Sequence, residues 1–585
     1  MNKPNARVFG SDPMAETIRA LGFPYIALTP GASFRGLHDS LVNHLGNADP
    51  KMLLCIHEES AVALAHGWTR VTGAPMAVAL HSNVGLMHAT MAIFNAWCDR
   101  VPMLLIGAQG PIDAVQRRPW VDWIHTSSDL AALIRGYTKW DNQPGSVTAT
   151  LEALVRARQI AVTEPKGPTY VCLDATIQET PLDTPVDLPD LARFRLPEPA
   201  EPPPAQVAEA ASWLAGAKRP AILMGRVSRT REDWEKRVRL AELLGASVFT
   251  DLKNGAVFPT SHPSHPYPPG IYISPEAGAI LRDCDAILAL DWIDLGGTLR
   301  QASGGAPPAG KVIHCSVDQY VHNGHNMDYQ ALPVSDLTIL ASPDRLVDRL
   351  LDALAAHRTT AKPAPRAPTP VAGPDTIEGR ISVQAMARIV SETLAPYTPS
   401  YIRLPLGWPG ERCAFADPLD YIGFDGGGGI GSGPGMAVGA ALALRGTERL
   451  PVAVLGDGDY LMGLTALWTA VHERIPLLIV VSNNESFFND ELHQERVARI
   501  RDRPIENRSI GLRMSNPAND LAMLARGQGA DGFGPIFEPA ELRRTLDQAV
   551  ARVKAGAVCV IDARVAPEYS RAMSSTLLRH IPSAT

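Results

Sequence analysis

The stretch PVAVLGDGDYLMGLTALWTAVHERIPLLIVVSNNESFF carries the residues best suited to chemistry. One apolar run ends in Gly456-Asp457-Gly458, a segment of helical period follows, and a second apolar run ends in Asn483-Asn484. The spacing predicts strands over 451–455 and 477–481 joined by one helix of about 14 residues. A strand, crossover helix and second strand wind right-handedly, so the strands run parallel and Asp457 and Asn484 emerge at the carboxyl edge of one sheet. A carboxylate, an amide oxygen and the backbone carbonyl of Ser486 form a set of hard oxygen ligands. Such a set suits Mg2+, and its remaining octahedral positions are left for a diphosphate and water. Gly456 and Gly458 let the backbone approach phosphates without a side chain in the way. Either dipeptide alone reads as a turn or a loop; their joint placement points to a metal and diphosphate site.

Far upstream, Glu58 in CIHEESAVALAHGWTRVTG follows the apolar run KMLLCI and opens a helix, a junction where functional residues often sit. By itself it also reads as a solvated acid favoured by the helix dipole, and Glu59 competes with it. A third element is the glycine run FDGGGGIGSGPGMAVGAALAL. Its formal G-x-G-x-x-G at Gly426, Gly428 and Gly431 is a match that any run so rich in glycine yields by chance. We read it as a loop pressed against a ligand, with a backbone carbonyl near Gly428 as acceptor and Ile430 as an apolar wedge.

The elements that must position these residues follow from length and pattern. The chain has 585 residues, too many for one core. With 45% apolar and 20% charged residues it is an ordinary globular composition. Short β-rich apolar runs alternate with helical segments in three successive blocks, which predicts an α/β protein of three consecutive doubly wound parallel-sheet domains. The blocks are residues 1–190, 200–356 and 377–585, with a Pro, Ala and Thr-rich linker at 359–376. In the first block, strands are expected at 25–29, 51–56, 75–81, 102–108 and 169–174. The net charge of -7 without a basic stripe argues against a nucleic-acid partner. Seven scattered cysteines, mostly inside apolar runs, read as buried thiols of a reducing compartment. The N-terminal residues lack a signal-peptide pattern, and no run is long enough to span a membrane. A cytoplasmic protein is expected.

With Asp457, Asn484, Glu58 and the glycine run in view, the chain resembles the thiamine diphosphate enzymes of the pyruvate decarboxylase and acetolactate synthase superfamily, over nearly its whole length. The wording of HSNVGLMHATMAIFNAWCDRVPMLLIGAQ and GDGDYLMGLTALWTAVHERIP is most similar to the benzoylformate decarboxylases. The resemblance implies pyrimidine-binding, central and diphosphate-binding domains in that order. It implies thiamine diphosphate as cofactor, held through Mg2+ by Asp457, Asn484 and the Ser486 carbonyl, with Gly428, Ile430, Gly456 and Gly458 also lining the cofactor. The family's H-E-x-x-A pattern falls on His57, Glu58 and Ala61, which names Glu58 as the acid that hydrogen-bonds the pyrimidine ring and activates the cofactor. His81 falls on a family histidine that serves proton transfer. The resemblance also implies a homodimer or homotetramer with sites between subunits.

The implied activity is that of a lyase or carboligase acting on a 2-oxo acid or related small carbonyl compound, through decarboxylation, carbon–carbon ligation or both. Departures from the benzoylformate decarboxylase pattern fall at Ala32, at the central segment LALDWIDLGG, which lacks a second catalytic histidine, and at Asp490 and His493, where apolar pocket residues would stand. They favour a more polar substrate. His493 and Glu491 read equally as substrate contacts or as solvated helix residues, and His88 has no evident role. The alternatives are an acetolactate synthase-like transferase, a nicotinamide- or flavin-dependent oxidoreductase built on the glycine run, and a regulatory protein that keeps the cofactor without turnover. FAD is not expected, since RPAILMGRVSRT offers it little support.

Overall fold

The computed structural model of the chain describes residues 8–317, 332–357, 360–367 and 373–569. Three parallel sheets follow one another along the sequence, as the alternating pattern requires. The first has six strands in the spatial order Lys51–Leu54, Tyr25–Leu28, Met76–His81, Met103–Gln109, Pro168–Asp174, Asp141–Asn142. The second runs Leu337–Leu340, Lys311–Ser316, Ala286–Leu290, Pro220–Met224, Ser247–Phe249. The third runs Pro399–Arg403, Leu450–Gly456, Leu477–Asn483, Val558–Arg564, Asp531–Ile536. Central strands such as Met103–Gln109 and Leu477–Asn483 are buried at every position. Helices therefore cover both faces of each sheet, and these strands read as unbroken apolar runs instead of alternating ones.

One cluster of buried apolar residues joins the first and third sheets, running from Leu53, Val62 and Leu105 to Val438, Leu467 and Ile479. Its centre is the crossing of helix Glu58–Thr72 with helix Ser432–Ala443. Here glycine is required. A Cβ on Gly67 would stand 2.0 Å from the Met436 carbonyl oxygen, and one on Gly439 would stand 1.8 Å from that of Leu64. The two backbones touch, which only residues without a side chain permit. The middle sheet keeps a separate core around Ile222, Leu240 and Leu346.

Two expectations need adjustment. The single helix predicted after Gly458 is two, Asp457–Met462 and Ala466–His472. The break falls at Gly463, a residue that disfavours helix and here lies where any Cβ would meet the Gly431 carbonyl oxygen at 2.1 Å. The described part of the 359–376 segment is extended but not detached: the Ala364 and Ala367 N–H groups donate to Ser247 Oγ and the Pro266 carbonyl. Among the described residues no helix is long and apolar enough to cross a membrane. All seven cysteines are free, and all but Cys98 are buried.

Candidate active site

The Asp457 half of the candidate site forms where two adjacent strands stop together. Gly456 pairs with Ser482, so Asp457 and the Asn483-Asn484 pair leave the sheet at the same edge. Asp457 heads a helix and is almost wholly buried. Its Oδ1 accepts from the Gly458 N–H at 2.9 Å, while Oδ2 is buried with no hydrogen-bond partner among the described residues. Burial raises this carboxyl to about 6, although N–H groups of Gly458, Glu485 and Ser486 draw it back down. A buried, orphaned carboxylate oxygen is costly unless a cation completes it.

The facing loop is held in place by its own hydrogen bonds. Glu485 adopts a left-handed conformation, φ 56°, and Asn484 Oδ1 accepts from the Ser486 N–H at 2.9 Å. Ser486 Oγ donates to Glu491 Oε1 at 2.5 Å, and Arg513 Nε donates to the same oxygen at 3.0 Å. Glu491 is thus not a solvated helix residue; it is fully buried and braces the loop. Gly456 has open space where a Cβ would be, and a Cβ on Gly458 would lie 3.1 Å from the Phe487 ring and 3.6 Å from Ile430 Cδ1. Ile430, Gly458 and Phe487 therefore meet at one point beside Asp457. The donor set, the orphaned oxygen and the bare glycines fit a divalent cation carrying a diphosphate.

The glycine run precedes helix Ser432–Ala443 but follows a loop, not a strand, so it lacks the strand-to-helix setting of a dinucleotide fingerprint. Its glycines serve close packing. A Cβ on Gly427 or Gly429 would strike Asn95, Phe94 or Met91. Asn95 Nδ2 donates to the Gly429 carbonyl at 3.2 Å and to Ser432 Oγ at 2.8 Å, while Gly428 sits at φ 67° with nothing over it. Beneath the run lies a charge cluster that sequence reading did not single out. Arg403 pairs with Asp425 at 2.7 Å and Asp459 at 3.2 Å, and Asp459 Oδ1 accepts from the N–H groups of Gly431 and Gly433. Burial pushes the Asp425 carboxyl up to about 7 against the pull of Arg403.

The N-terminal half gathers around the junctions Gly31–Ser33, His57–Glu58 and His81–Ser82. His57 caps helix Glu58–Thr72 through Nδ1, which accepts the Glu59 N–H at 3.2 Å. Glu58 is buried, and its Oε2 lies 3.1 Å from His88 Nδ1. Glu59 turns elsewhere: its Oε1 is buried without a partner among the described residues, close to Gly431, and burial and then the charge of Asp459 raise its pKa. The two neighbours thus point in different directions, Glu59 toward its own chain's glycine run and Glu58 toward helix Ser82–Cys98. His81 packs on Gly31 and its Nδ1 is 2.9 Å from Ser33 Oγ, which also accepts the Ser82 N–H. Burial and the nearby His125 lower the His81 pKa, while the charge of Glu58 opposes them. Ala32 sits between the two residues that touch His81.

Of the two substrate-pocket candidates in helix Phe488–Ile500, Asp490 lies with the Asp457 half. Its charge and that of Asp457 act on Tyr569, whose ring meets Phe488 edge-on at 5.1 Å. His493 is exposed and lines a cleft of about 500 Å3 with Arg496 and, from the middle domain, Lys253, Tyr272 and Trp292. Tyr569, Phe487 and Ser33 also lie against the candidate residues, and no sequence motif announced them.

Comparison with known proteins bears on what this arrangement is. Residues 9–133, 207–341 and 407–563 match, in order, the N-terminal TPP-binding, central and C-terminal TPP-binding domains of thiamine pyrophosphate enzymes, together well over half the chain. The chain belongs to the thiamine pyrophosphate enzyme family. A benzoylformate decarboxylase of Pseudomonas aeruginosa is 26% identical over 452 residues, 75% of this chain and 80% of that protein. The acetolactate synthase isozyme 3 large subunit of Escherichia coli K12 is 24% identical over 574 residues, 95% of this chain and 94% of that one. Among solved structures, the benzoylformate decarboxylase of Polynucleobacter necessarius shares the fold with a TM-score of 0.76 at 20% identity, covering 96% of this chain and 99% of its own. The 4-hydroxybenzoylformate decarboxylase of Rhodococcus jostii RHA1 does so with a TM-score of 0.74 at 21% identity over the same shares. Within the family, the chain is therefore similar to thiamine diphosphate-dependent decarboxylases and acetolactate synthases, and it carries both TPP-binding domains.

Proposed function

We propose that this protein is a lyase or carboligase that uses thiamine diphosphate, held through Mg2+, to break or make a carbon–carbon bond beside the carbonyl of a 2-oxo acid or related compound. The observation that carries the reading is Asp457 Oδ2, a buried carboxylate oxygen with no hydrogen-bond partner among the described residues, facing the loop that presents Asn484 and the Ser486 carbonyl. Asp457, Asn484 and Ser486 would hold the metal, and Gly456 and Gly458 the diphosphate. Ile430 and the loop at Gly428 would seat the two rings. Bound there, the cofactor supplies a nucleophilic carbon and a ring able to store an electron pair.

The chain's own residues hold and move protons around it. Glu58 exchanges a proton with the pyrimidine ring nitrogen, a task suited to a carboxyl taken out of water. His81, whose lowered pKa keeps it neutral near pH 7, relays a proton at the carbonyl carbon side of the site, with Ser33 fixing its ring. Among the described residues the hydrogen bond of Glu58 goes to His88 and not to the Asp457 loop. This supports a site completed by a second copy, in which Glu58 of one chain serves the Asp457 site of the other. Asp490 beside Asp457 and Tyr569, together with Ala32, favours a substrate more polar than an aryl 2-oxo acid.

Two measurements test the reading. Glu58→Gln should keep the cofactor but lose exchange of its thiazolium proton, observed by NMR; exchange at the parent rate would refute it. Co-expressing Glu58→Gln with Asp457→Ala should restore part of the activity that each variant lacks alone. A mixture as inactive as its parents would remove the shared site.

A further inference from the structure

His88 has no part in the chemistry described above, yet it is the side chain that touches Glu58. Its Nδ1 stands 3.1 Å from Glu58 Oε2, and its ring stacks on His57 at 4.9 Å with an interplanar angle of 22°. His57 is itself held as the helix cap. The His88 side chain is 57% exposed and that of Glu58 9% exposed, so an imidazole at the surface grips one oxygen of a buried carboxyl. The other oxygen is placed too. One turn before His88, Gly85 lies so close that a Cβ there would stand 2.9 Å from Glu58 Oε1. Oε2 is tied to an imidazole, and Oε1 lies over bare backbone.

A glutamate carboxyl left alone turns easily, because its terminal torsion is broad and nearly two-fold. A hydrogen bond to one oxygen removes that freedom and assigns different tasks to the two oxygens. We propose that His88 is a positioning residue: by holding Oε2 it fixes the carboxyl plane of Glu58 and leaves Oε1 as the atom that meets a ring nitrogen of the cofactor. The inference rests on the cofactor reading above and deepens it. The chemistry of the donor matters. A carboxylate oxygen and the carbonyl oxygen of a carboxylic acid both accept from Nδ1–H, so the bond at Oε2 survives while Oε1 gives up and recovers its proton. Stacking on the capped His57 in turn keeps the exposed ring in place.

The test compares His88→Leu, which cannot donate, with His88→Asn, whose amide N–H can reach the same oxygen. In holoenzyme saturated with thiamine diphosphate and Mg2+, His88→Leu should slow thiazolium proton exchange at least tenfold while shifting cofactor Kd far less. His88→Asn should recover most of the rate. Exchange at the parent rate in His88→Leu overturns the inference. So does an equal loss in both variants, which would mark a purely steric or folding role; thermal melting of each variant checks the fold. If the parent protein itself shows no accelerated exchange, the cofactor reading has failed, and the inference is decided separately by a crystal structure of His88→Leu. There, an unmoved Glu58 carboxyl overturns it and a rotated or split one supports it.

Discussion

Asp457→Asn should have opposite effects on stability with and without the cofactor, and the sizes follow from the site. In the protein alone, burial raises the carboxyl from 3.8 to about 6. A folded-state pKa above the unfolded value means that the folded chain binds the proton more tightly. Its stabilising contribution is complete below the unfolded pKa and is lost as pH rises through the folded one. Roughly two units at 1.36 kcal/mol each put the cost of ionised Asp457 at about 3 kcal/mol at pH 8, with about half of that at pH 5. Asparagine keeps the shape and can still accept from the Gly458 N–H, but its NH2 group inherits the orphaned position of Oδ2 at a cost of about 1–3 kcal/mol. The net expectation at pH 8, without metal or cofactor, is a variant as stable as the parent or up to about 2 kcal/mol more stable, an advantage that shrinks toward pH 5. With Mg2+ and thiamine diphosphate at a hundredfold excess over Kd, the parent should gain about 2.7 kcal/mol and the variant almost nothing. Denaturant unfolding followed at pH 5 and pH 8, with and without both ligands, measures all four quantities. A variant clearly less stable than the parent at pH 8 without ligands, or one that gains as much from them, would refute the reasoning.

Two further perturbations probe the scaffold. Gly439→Ala should cost about 1–3 kcal/mol, because the new methyl must push the two crossing helices apart; a melting curve that overlays the parent's would show that the crossing yields freely. Arg403→Met leaves Asp425 and Asp459 buried beside each other without their cation, for an expected loss of about 3–5 kcal/mol. Since the Asp425 carboxyl already sits near 7, this loss should be larger at pH 8 than at pH 5, and equal losses at the two pH values would speak against the carboxyl as the cause.

The parts of the site written in sequence are those fixed by local rules. Strand ends at Gly456 and Asn483 follow from where apolar runs stop, and parallel pairing then brings Asp457 and Asn484 together without further information. What sequence conceals depends on distant contacts. Gly463 marks the break between two helices, but that its backbone lies against Gly431, where no side chain would fit, is visible only in three dimensions. Glu491 looks like any acid on an exposed helix until Ser486 and Arg513 are seen to enclose it. Glu58 and Glu59 differ by one residue in register, and only the packing of their helix sends one toward His88 and the other toward Gly431. Tyr569 reaches the site from a C-terminal segment that carries no motif.

The contact of bare backbone at Gly67 and Gly439 has a consequence for altering this protein. Within one chain the joint has no slack and ties the half bearing Glu58 to the half bearing Asp457; in a pair of copies these halves would serve two different cofactors, so a change at the joint would be felt at both. The cleft where His493 and Arg496 meet Lys253, Tyr272 and Trp292 lies instead between helix Phe488–Ile500 and the middle domain, away from that joint, so changes there need not disturb it.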